Sequence, residues 1–399
     1  MTKQSKAQDT GKRELRILVT GGGTGGHVAP ALAVIQTIRE QSESADWTPT
    51  FLYVGSEGGV EKGLAASAGV PFAGVQSGKL RRASRWYKML SLQNLMDLFR
   101  IPVGVGQALG EVRKFRPDVV FATGGYVSVP PVIAGWSLRA PVLTHEQTVQ
   151  VGLANQINAR FAARIALSFE GALEELPPRI RPRAFVTGNP VRKVIFGGDR
   201  DRAREFCGFD PADDALPTVY VTGGARGARK LNLSLLEAMP ELLTQCRVIL
   251  QCGQNSDFET VTARVQELKD HLVRRVFVTP FLGSEIGDIY ALADVVVGRS
   301  GAGTVTEVSA LGKPALLIPL VPTGGDEQNR NARRLVEAGA AALLPNVDLD
   351  GARLAHEILA LVGDPERLAR MGKATLALAR PRAAQDLAEA VIGLAQGRK

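Results

Sequence analysis

The sequence of 399 residues is poor in cysteine and contains no long apolar segment. Its three cysteines, Cys207, Cys246 and Cys252, lack the spacing of metal ligands, and an odd number without a secretion signal fits a reducing cytoplasm. No run approaches the roughly eighteen apolar residues of a membrane-spanning helix. The first sixteen residues are polar and of mixed charge, unlike a signal peptide. We therefore expect a cytoplasmic protein that does not cross a membrane.

The composition is that of a globular protein, with 45% hydrophobic and 22% charged residues. The length is sufficient for two domains with a large core. The formal charge of +8 and the pI of about 9.5 favour an anionic partner: phosphates, a nucleic acid or an acidic membrane surface. Because much of the surplus lies in one short segment, the sequence argues against a general nucleic-acid-binding surface, and we expect no nucleic-acid partner.

A glycine-rich stretch at 19–28, VTGGGTGGHV, is the most informative part of the sequence. A strand-like run at 15–19 precedes it, and a helical pattern at 29–38 follows it. Its five glycines permit a close approach to a ligand, and the helix start presents unpaired N–H groups and the positive end of a dipole. We therefore expect it to bind an anion, phosphate above all. The pattern Gly21-x-Gly23-x-x-Gly26 also fits the dinucleotide fingerprint, which is weak evidence by itself.

Two further features make this stretch more specific. His27 stands at the helix start, where its imidazole would lie beside the bound group. The alternative is a histidine that caps the helix or packs against it. Residues 221–227, VTGGARG, repeat the V-T-G-G-x-x-G of residues 19–25 and again lie between an apolar strand and a helical run. This repeat predicts two related α/β domains.

Short β-branched runs alternate with helical stretches along the chain, as in βαβ units with a parallel sheet. Strands are predicted at 15–20, 50–54, 118–123, 141–144 and 164–167, and near 218–222, 247–251, 275–278, 294–298 and 315–319. Two helices, at 366–378 and 383–394, are predicted near the end of the chain. Ligands bind beyond the carboxyl ends of such strands, where both glycine loops lie.

Residues 76–100 interrupt this alternation. Five basic residues stand together without an acidic one between them: Lys79, Arg81, Arg82, Arg85 and Lys88. Trp86 and a series of aromatic, leucine and methionine residues interleave with them or follow. Cations beside apolar side chains suit an anionic membrane surface. The alternative is a solvated loop followed by a core helix.

Other predicted strands also end in glycine or polar turns. Gly124-Gly125-Tyr126 follows one strand, and residues 144–148, THEQT, follow another. His145 and Glu146 could form part of a metal site, but no nearby residue completes a ligand set, so we predict no metal. The GNPVR sequence at 188–192 is the predicted hinge between the two α/β halves.

In the second half, the 294–298 strand is followed by RSGAGTVTE at 299–307. Such a turn would hold a diphosphate at the helix start. Glu307 could accept hydrogen bonds from two ribose hydroxyls, or it could complement the helix dipole. The segment 324–331, GGDEQNRN, offers amides for sugar hydroxyls, and is equally suited to begin a helix.

Taken in order, these motifs resemble those of the MurG family of bacterial glycosyltransferases. The resemblance spans about residues 14–395 and rests on GGTGGH at 22–27, GGY at 124–126, HEQ at 145–147, GNPVR at 188–192, GAR at 227–229, RSGA at 299–302 with Glu307, and Gln328 with Asn331. It implies the α/β GT-B fold, in which two Rossmann-like domains with parallel sheets face each other across a cleft. The predicted acceptor-binding, membrane-facing domain comprises 14–187 and 378–399, and the predicted UDP-N-acetylglucosamine (UDP-GlcNAc) domain comprises 188–377.

The resemblance also implies an activity and its partners. The enzyme would be an inverting transferase that moves GlcNAc from UDP-GlcNAc to the 4-hydroxyl of the MurNAc-pentapeptide of lipid I, forming lipid II in peptidoglycan synthesis. It would work at the cytoplasmic face of the cell membrane, on an anionic membrane surface, with cell-wall synthesis proteins as candidate partners. It would need no cofactor and no divalent metal.

Site residues follow from the same resemblance. Donor contacts are implied at Arg192, at the backbone near Leu282, at Gln328, and along the helix start at Ala302, Gly303, Thr304, Val305, Thr306 and Glu307. The first loop, with Thr24, Gly25, Gly26 and His27, would face the acceptor and the diphosphate. Tyr126, Thr148, Ala225 and Asn331 complete the predicted substrate-binding set.

The sequence departs from the family at three positions. A serine usual in the second glycine loop is Ala225 here, which removes a hydroxyl that would donate to a phosphate. The backbone N–H groups remain, so we expect weaker rather than absent binding. Thr148 replaces the asparagine of the family's His-Glu-Gln-Asn, and Val129 replaces a glycine. None of these changes removes His27. We predict His27 as the base, because an ordinary imidazole pKa near 6.5 suits proton removal at neutral pH.

Three alternatives remain at this point. A UDP-GlcNAc 2-epimerase would share the two-domain layout and the nucleotide-sugar site, but would leave the basic segment at 79–99 unexplained. A Rossmann oxidoreductase requires an acidic residue about twenty positions after the loop, and Glu57, the first after the second strand, lies farther from Gly26. A membrane-docked scaffold that senses a UDP-sugar would leave His27 without a role.

Overall fold

The computed structural model describes residues 12–23, 25–78, 92–253, 257–321 and 326–397, without the side chains of 92–99. The chain divides into two compact units. The N-terminal unit comprises Met1–Gln147, Val151–Pro190 and Arg382–Lys399, and the C-terminal unit comprises Thr148–Gln150 and Val191–Pro381. Each unit contains a parallel sheet, which confirms the predicted α/β class with two parallel-sheet domains.

The sheet of the N-terminal unit has seven strands in the order β3-β2-β1-β4-β5-β6-β7. The strands are β1 (Arg13–Thr20), β2 (Trp47–Ser56), β3 (Phe72–Val75), β4 (Val119–Ala122), β5 (Val142–Glu146), β6 (Arg164–Leu167) and β7 (Ala184–Val186). The described helices of this unit are α1 (Gly25–Glu43), α2 (Val60–Ser67), α3 (Leu92–Phe115), α4 (Val129–Ser137) and α5 (Leu153–Phe161), with α15 (Ala383–Ala395) at the end of the chain.

The sheet of the C-terminal unit has six strands in the order β10-β9-β8-β11-β12-β13. The strands are β8 (Thr218–Thr222), β9 (Arg247–Gln251), β10 (Val276–Thr279), β11 (Val295–Gly298), β12 (Ala315–Leu317) and β13 (Ala341–Leu343). The described helices are α6 (Arg200–Cys207), α7 (Arg229–Leu242), α8 (Asp257–Gln266), α9 (Asp270–Val273), α10 (Ile286–Leu292), α11 (Ala302–Leu311), α12 (Glu327–Glu337), α13 (Gly351–Val362) and α14 (Pro365–Ala377).

Both sheets reverse their strand order at the same place. In the N-terminal unit the reversal lies between β1 and β4, and in the C-terminal unit it lies between β8 and β11. Ligands of doubly wound sheets bind outside the carboxyl ends of the strands at such a switch point. All four turns that follow these strands carry glycines, at 21–23, 124–125, 223–224 and 301. Topology therefore gives each unit one candidate site.

Three edge strands were not predicted: β3, β7 and β13. They have three or four residues each and are mostly half-buried, so they carry little of the apolar pattern that marks the central strands. The central strands β4 and β11 are buried at every residue, as expected for a sheet covered on both faces.

The last helix belongs to the N-terminal unit. α15 packs on α1, with Leu387, Ala388 and Val391 buried completely in the core of that unit. Complete burial of a leucine or valine side chain is worth about 1.5–3 kcal/mol. Hydrophobic packing thus holds the last helix of the chain in the N-terminal unit.

The unit boundaries lie a few residues beyond the predicted positions 187/188 and 377/378. Gly188 stays with the N-terminal unit, where its carbonyl oxygen lies 3.1 Å from Nε2 of His145. Leu378 stays with the C-terminal unit because it packs against the apolar core there. Contacts made on either side of each boundary, rather than the turn residues themselves, decide where the chain passes between units.

None of the helices that the structure describes combines the length and the apolar character needed to cross a membrane.

Candidate active site

The two glycine turns of the N-terminal unit pack against each other at the switch point. Gly23, in the turn after β1, has a φ of 82°, and Gly125, in the turn after β4, has a φ of 76°. A Cβ on Gly125 would overlap the carbonyl oxygen of Gly22, and one on Gly23 would lie 2.7 Å from the ring of Tyr126. Only glycine permits this approach. It brings Tyr126, a predicted site residue, next to the first loop.

A buried carboxylate supports the first loop from inside. Glu61 on α2 is fully buried and accepts hydrogen bonds from the N–H groups of Gly23 (3.3 Å) and Ser56 (2.8 Å). The N–H of Gly23 is therefore satisfied within the protein, whereas Gly25 and Gly26, which begin α1, are exposed. Sequence reasoning missed Glu61, because neither helix α2 nor the burial of this carboxylate was predicted.

His27 is half-buried, and its Nδ1 atom lies close to two oxygen atoms. The carbonyl oxygen of Thr123 is 3.0 Å away and Oε1 of Gln147 is 2.8 Å away. Both atoms are acceptors, so Nδ1 donates and Nε2 of the neutral ring carries the lone pair. No described residue hydrogen-bonds to Nε2. The histidine is therefore held by neighbouring strand ends rather than serving as a cap of α1, and it keeps a basic nitrogen available.

His145 and Glu146 are used in hydrogen bonds within the protein. Nε2 of His145 contacts the carbonyl oxygen of Gly188 at 3.1 Å, and Oε2 of Glu146 accepts from Gly152 N–H and Asn155 Nδ2 at 2.9 Å each. Burial lowers the pKa of His145 to about 4, although the Gly188 carbonyl opposes this shift. Among the residues that the structure describes, no group of three or more metal-binding side chains comes together.

Thr148 lies two residues after the end of β5. It is buried, and its hydroxyl donates to the carbonyl oxygen of Gln150 at 2.6 Å. The hydroxyl thus closes a local turn in the segment that groups with the C-terminal unit. A substrate contact at Thr148 stays a prediction.

Two groups of predicted residues lie outside the described residues. One is Thr24 in the first glycine loop. The other is the proposed membrane-contact set, Lys79, Arg81, Arg82, Arg85 and Trp86. Their roles stay predictions.

In the C-terminal unit the loop after β8 repeats the glycine turn. Gly224 and Gly227 have φ of 76° and 72°, and a Cβ on Gly223 would overlap the backbone nitrogen of Ala228. Ala225 is exposed at the tip of this loop, ahead of the start of α7. This position is therefore accessible to a ligand but has no hydroxyl to offer.

The loop after β11 leads into α11, and the start of this helix is open. Gly303 is exposed and Thr304 is half-buried, while Thr306 donates its hydroxyl to the carbonyl oxygen of Ala302 at 2.6 Å. The first N–H groups of a helix have no intrahelical partner and attract anions. Val305 is different: its side chain is buried in the core, and its N–H is bonded to the preceding Gly301.

Glu307 lies beyond the first turn of α11, so it does not complement the helix dipole there. Its Oε2 accepts a hydrogen bond from the hydroxyl of Tyr290 at 2.7 Å. Burial raises the pKa of Glu307, and the Tyr290 hydrogen bond and the positive charge of Arg192 oppose that shift. Arg192 and Glu307, both predicted, are therefore within electrostatic range of each other. Tyr290 gave no signal in the sequence, because its bond to Glu307 joins two different helices.

Gln328 and Asn331, near the start of α12, hold the two neighbouring strand ends. Oε1 of Gln328 accepts the N–H of Leu320 at 2.8 Å, and Nδ2 of Asn331 donates to the carbonyl oxygen of Ser300 at 3.0 Å. Asn331 is almost completely buried, so in this structure its amide supports the loop before α11. Leu282 is also buried, and a backbone contact with a ligand at this position stays a prediction.

Two domain models of one family match the chain. Residues 17–167 match the glycosyltransferase family 28 N-terminal domain, and residues 218–387 match the glycosyltransferase family 28 C-terminal domain. A relative from Bacillus cereus, named UDP-N-acetylglucosamine--N-acetylmuramyl-(pentapeptide) pyrophosphoryl-undecaprenol N-acetylglucosamine transferase 2, is 38% identical over 84% of this chain and 88% of its own length. The chain belongs to glycosyltransferase family 28, in its MurG group.

Solved structures agree with the family 28 assignment. MurG from Acinetobacter baumannii superposes with a TM-score of 0.70 at 25% identity, covering 95% of this chain and 99% of that one. A putative UDP-N-acetylglucosamine 2-epimerase from Listeria monocytogenes gives a TM-score of 0.68 at 14% identity, covering 97% and 98%. The first match confirms the predicted GT-B fold and family, whereas the second shows a shared fold alone.

Proposed function

We propose that this family 28 protein transfers GlcNAc from UDP-GlcNAc to the muramyl-pentapeptide that is linked through a diphosphate to undecaprenol, converting lipid I to lipid II in peptidoglycan synthesis. The relatives named for this activity support the substrates. The observation that carries the chemistry is the geometry of His27, whose Nδ1 is held by two acceptors so that Nε2 is left with its lone pair. A positioned imidazole of this kind is suited to act as a general base.

The proposed reaction is a single displacement at the anomeric carbon. Nε2 of His27 takes the proton of the acceptor's 4-hydroxyl while that oxygen forms a bond to the anomeric carbon. The bond between the anomeric carbon and the UDP oxygen breaks, and UDP leaves from the opposite face with the electron pair. The configuration at the anomeric carbon is therefore inverted.

The C-terminal unit is proposed to bind the donor and to stabilise the departing UDP. The open start of α11, at Ala302, Gly303 and Thr304, would bind the diphosphate through backbone N–H groups, and Arg192 would add a positive charge. Glu307, held by Tyr290, would accept hydrogen bonds from the ribose hydroxyls. Gln328 would contact the sugar, for which its amide is suited.

The N-terminal unit is proposed to bind the acceptor at the membrane. Tyr126 and the exposed helix start at Gly25 and Gly26 would contact the sugar and its diphosphate. The basic and aromatic segment at 79–99 would bind anionic lipids at the cytoplasmic face of the cell membrane, where cell-wall synthesis proteins would be its neighbours.

The decisive assay measures UDP release from UDP-GlcNAc with and without a short-chain lipid-linked muramyl-pentapeptide. Acceptor-dependent release with formation of a disaccharide would support the transferase. Release without acceptor dependence, with UDP-ManNAc or a free epimer among the products, would instead support the 2-epimerase. UDP binding without any turnover would indicate a sensor.

The role of His27 is tested by His27→Ala, with His271→Ala as the matched control, since His271 is an exposed histidine of the C-terminal unit. General-base removal lowers turnover roughly a hundredfold or more, and UDP-GlcNAc affinity should change little. The control should behave as the wild-type enzyme. Near-normal turnover of His27→Ala would exclude His27 as the base.

A further inference from the structure

The hydrogen bonds around His27 continue into the protein interior through Gln147. The side chain of Gln147 is almost completely buried. Its Nε2 lies 2.7 Å from the carbonyl oxygen of Thr123 and 3.1 Å from that of His145. Carbonyl oxygens can only accept, so the NH₂ group must occupy this position. Oε1 is therefore the amide atom that faces Nδ1 of His27.

The hydrogen bonds of His145 agree with this orientation of the Gln147 amide. Nδ1 of His145 lies 3.1 Å from Nε2 of Gln147, whose two hydrogens are shared among that Nδ1 atom and the two carbonyl oxygens. Nδ1 of His145 therefore accepts, and the hydrogen of the neutral His145 ring is on Nε2. That hydrogen faces the carbonyl oxygen of Gly188 and Oγ of Ser168, each at 3.1 Å. Ser168 donates its own proton to the carbonyl oxygen of Glu146 at 2.7 Å and is thus free to accept. Burial lowers the pKa of His145 to about 4, which keeps this ring neutral under ordinary conditions.

We propose that Gln147, oriented by His145 and the Thr123 carbonyl, is a positioning residue that fixes the tautomer of His27 with its hydrogen on Nδ1 and its lone pair on Nε2. Gln147 fixes this tautomer in the free protein. Its effect on the turnover of the enzyme rests on the proposed function. Both protonation states of His27 keep the same two hydrogen bonds from Nδ1. The ring therefore need not rotate when Nε2 accepts the substrate proton.

The direct test is ¹⁵N NMR of the full chain labelled at histidine, which has only four such residues. At pH 8 we expect Nδ1 of His27 to be protonated and Nε2 to be unprotonated, with the opposite arrangement at His145. Spectra of His27→Ala and His145→Gln assign the signals. A proton on Nε2 of His27 in the wild-type protein overturns the proposal, and this measurement does not depend on turnover.

The second test replaces Gln147 by methionine, which is similar in length but has no amide. We expect mixed tautomers at His27, a fall of about tenfold in kcat, and KM values for both substrates within about twofold of wild type. Gln156→Met is the matched control, because Gln156 donates to the carbonyl oxygen of Val151 in the same unit and does not touch His27. Unchanged kcat and an unchanged tautomer in Gln147→Met would refute the proposal.

The two tests separate this inference from the proposed function. If the tautomer shifts in Gln147→Met but His27→Ala retains full turnover, the positioning is correct and the assignment of His27 as base is wrong. If His27→Ala is inactive but His27 in Gln147→Met keeps a single tautomer and full kcat, the base assignment stands and the positioning role of Gln147 is refuted.

Discussion

Acid should destabilise the N-terminal unit through His145. In the folded chain His145 stays neutral down to about pH 4, because burial opposes its charged form. An unfolded histidine takes up its proton near pH 6.5. The unfolded state therefore binds the extra proton between these two values, and the stabilisation present above pH 6.5 is lost as the pH falls towards 4.

The size of this loss follows from the same two values. Each pH unit in the window costs about 1.4 kcal/mol, so lowering the pH from 7 to 5 removes about 2 kcal/mol from the free energy of unfolding. With a urea m-value of about 2 kcal/mol/M, the unfolding midpoint falls by about 1 M through this residue alone.

The assay is urea unfolding followed by tryptophan fluorescence, at pH 7 and at pH 5. Trp47 and Trp136 belong to the N-terminal unit, and the third tryptophan, Trp86, falls within the sequence range of that unit, so we expect the signal to report on it. His145→Gln is the comparison, because it lacks the titrating imidazole of His145 and retains the His27 residue. The wild-type midpoint should fall by about 1 M more than that of the variant. Equal shifts in the two proteins would refute the reasoning.

Three further predictions concern the binding surfaces. Ala225→Ser adds a hydroxyl at the exposed loop tip, and calorimetry should show UDP binding a few-fold more tightly, whereas Ala212→Ser, also exposed, should leave affinity unchanged. UDP at a hundred times its Kd should slow thiol labelling of the three buried cysteines, all in the C-terminal unit, by about a hundredfold. The tryptophan-monitored midpoint should not move, and protection of both units would contradict the donor-site assignment. Replacing Arg81, Arg82 and Arg85 by glutamate should remove most binding to anionic vesicles in sedimentation, and unchanged binding would exclude a membrane role for that segment.

The central parts of the fold could be predicted from local pattern. Strands such as β1, β8 and β11 contain apolar runs that lead into glycine-containing turns, and each turn is followed by a helical pattern. Alternation of this kind leads to parallel sheets whose switch points carry the glycine turns. The edge strands β3, β7 and β13 were missed because three or four half-buried residues do not form a recognisable pattern.

The candidate site was predicted in part. His27 and Tyr126 stand just after predicted strands, and Arg192 stands beside the predicted hinge. Glu307 lies within helix α11, and the roles of all four residues toward a substrate stay predictions. Val305 belongs to the same motif, but its side chain faces the core, which a run of adjacent motif residues does not reveal.

The sequence alone determined the residue types, the two glycine turns and the family. Tertiary structure decided which side chains hydrogen-bond to the predicted site residues and loops: Glu61 to the first glycine loop, Tyr290 to Glu307, and Gln147 to His27. These hydrogen bonds join residues 17 to 120 positions apart along the chain, and they form only when the strands, turns and helices that carry these residues pack together. A hydrogen bond also depends on which atom faces which. The tautomer of His27 is therefore a property of packing around Gln147, and no local pattern in the sequence carries it.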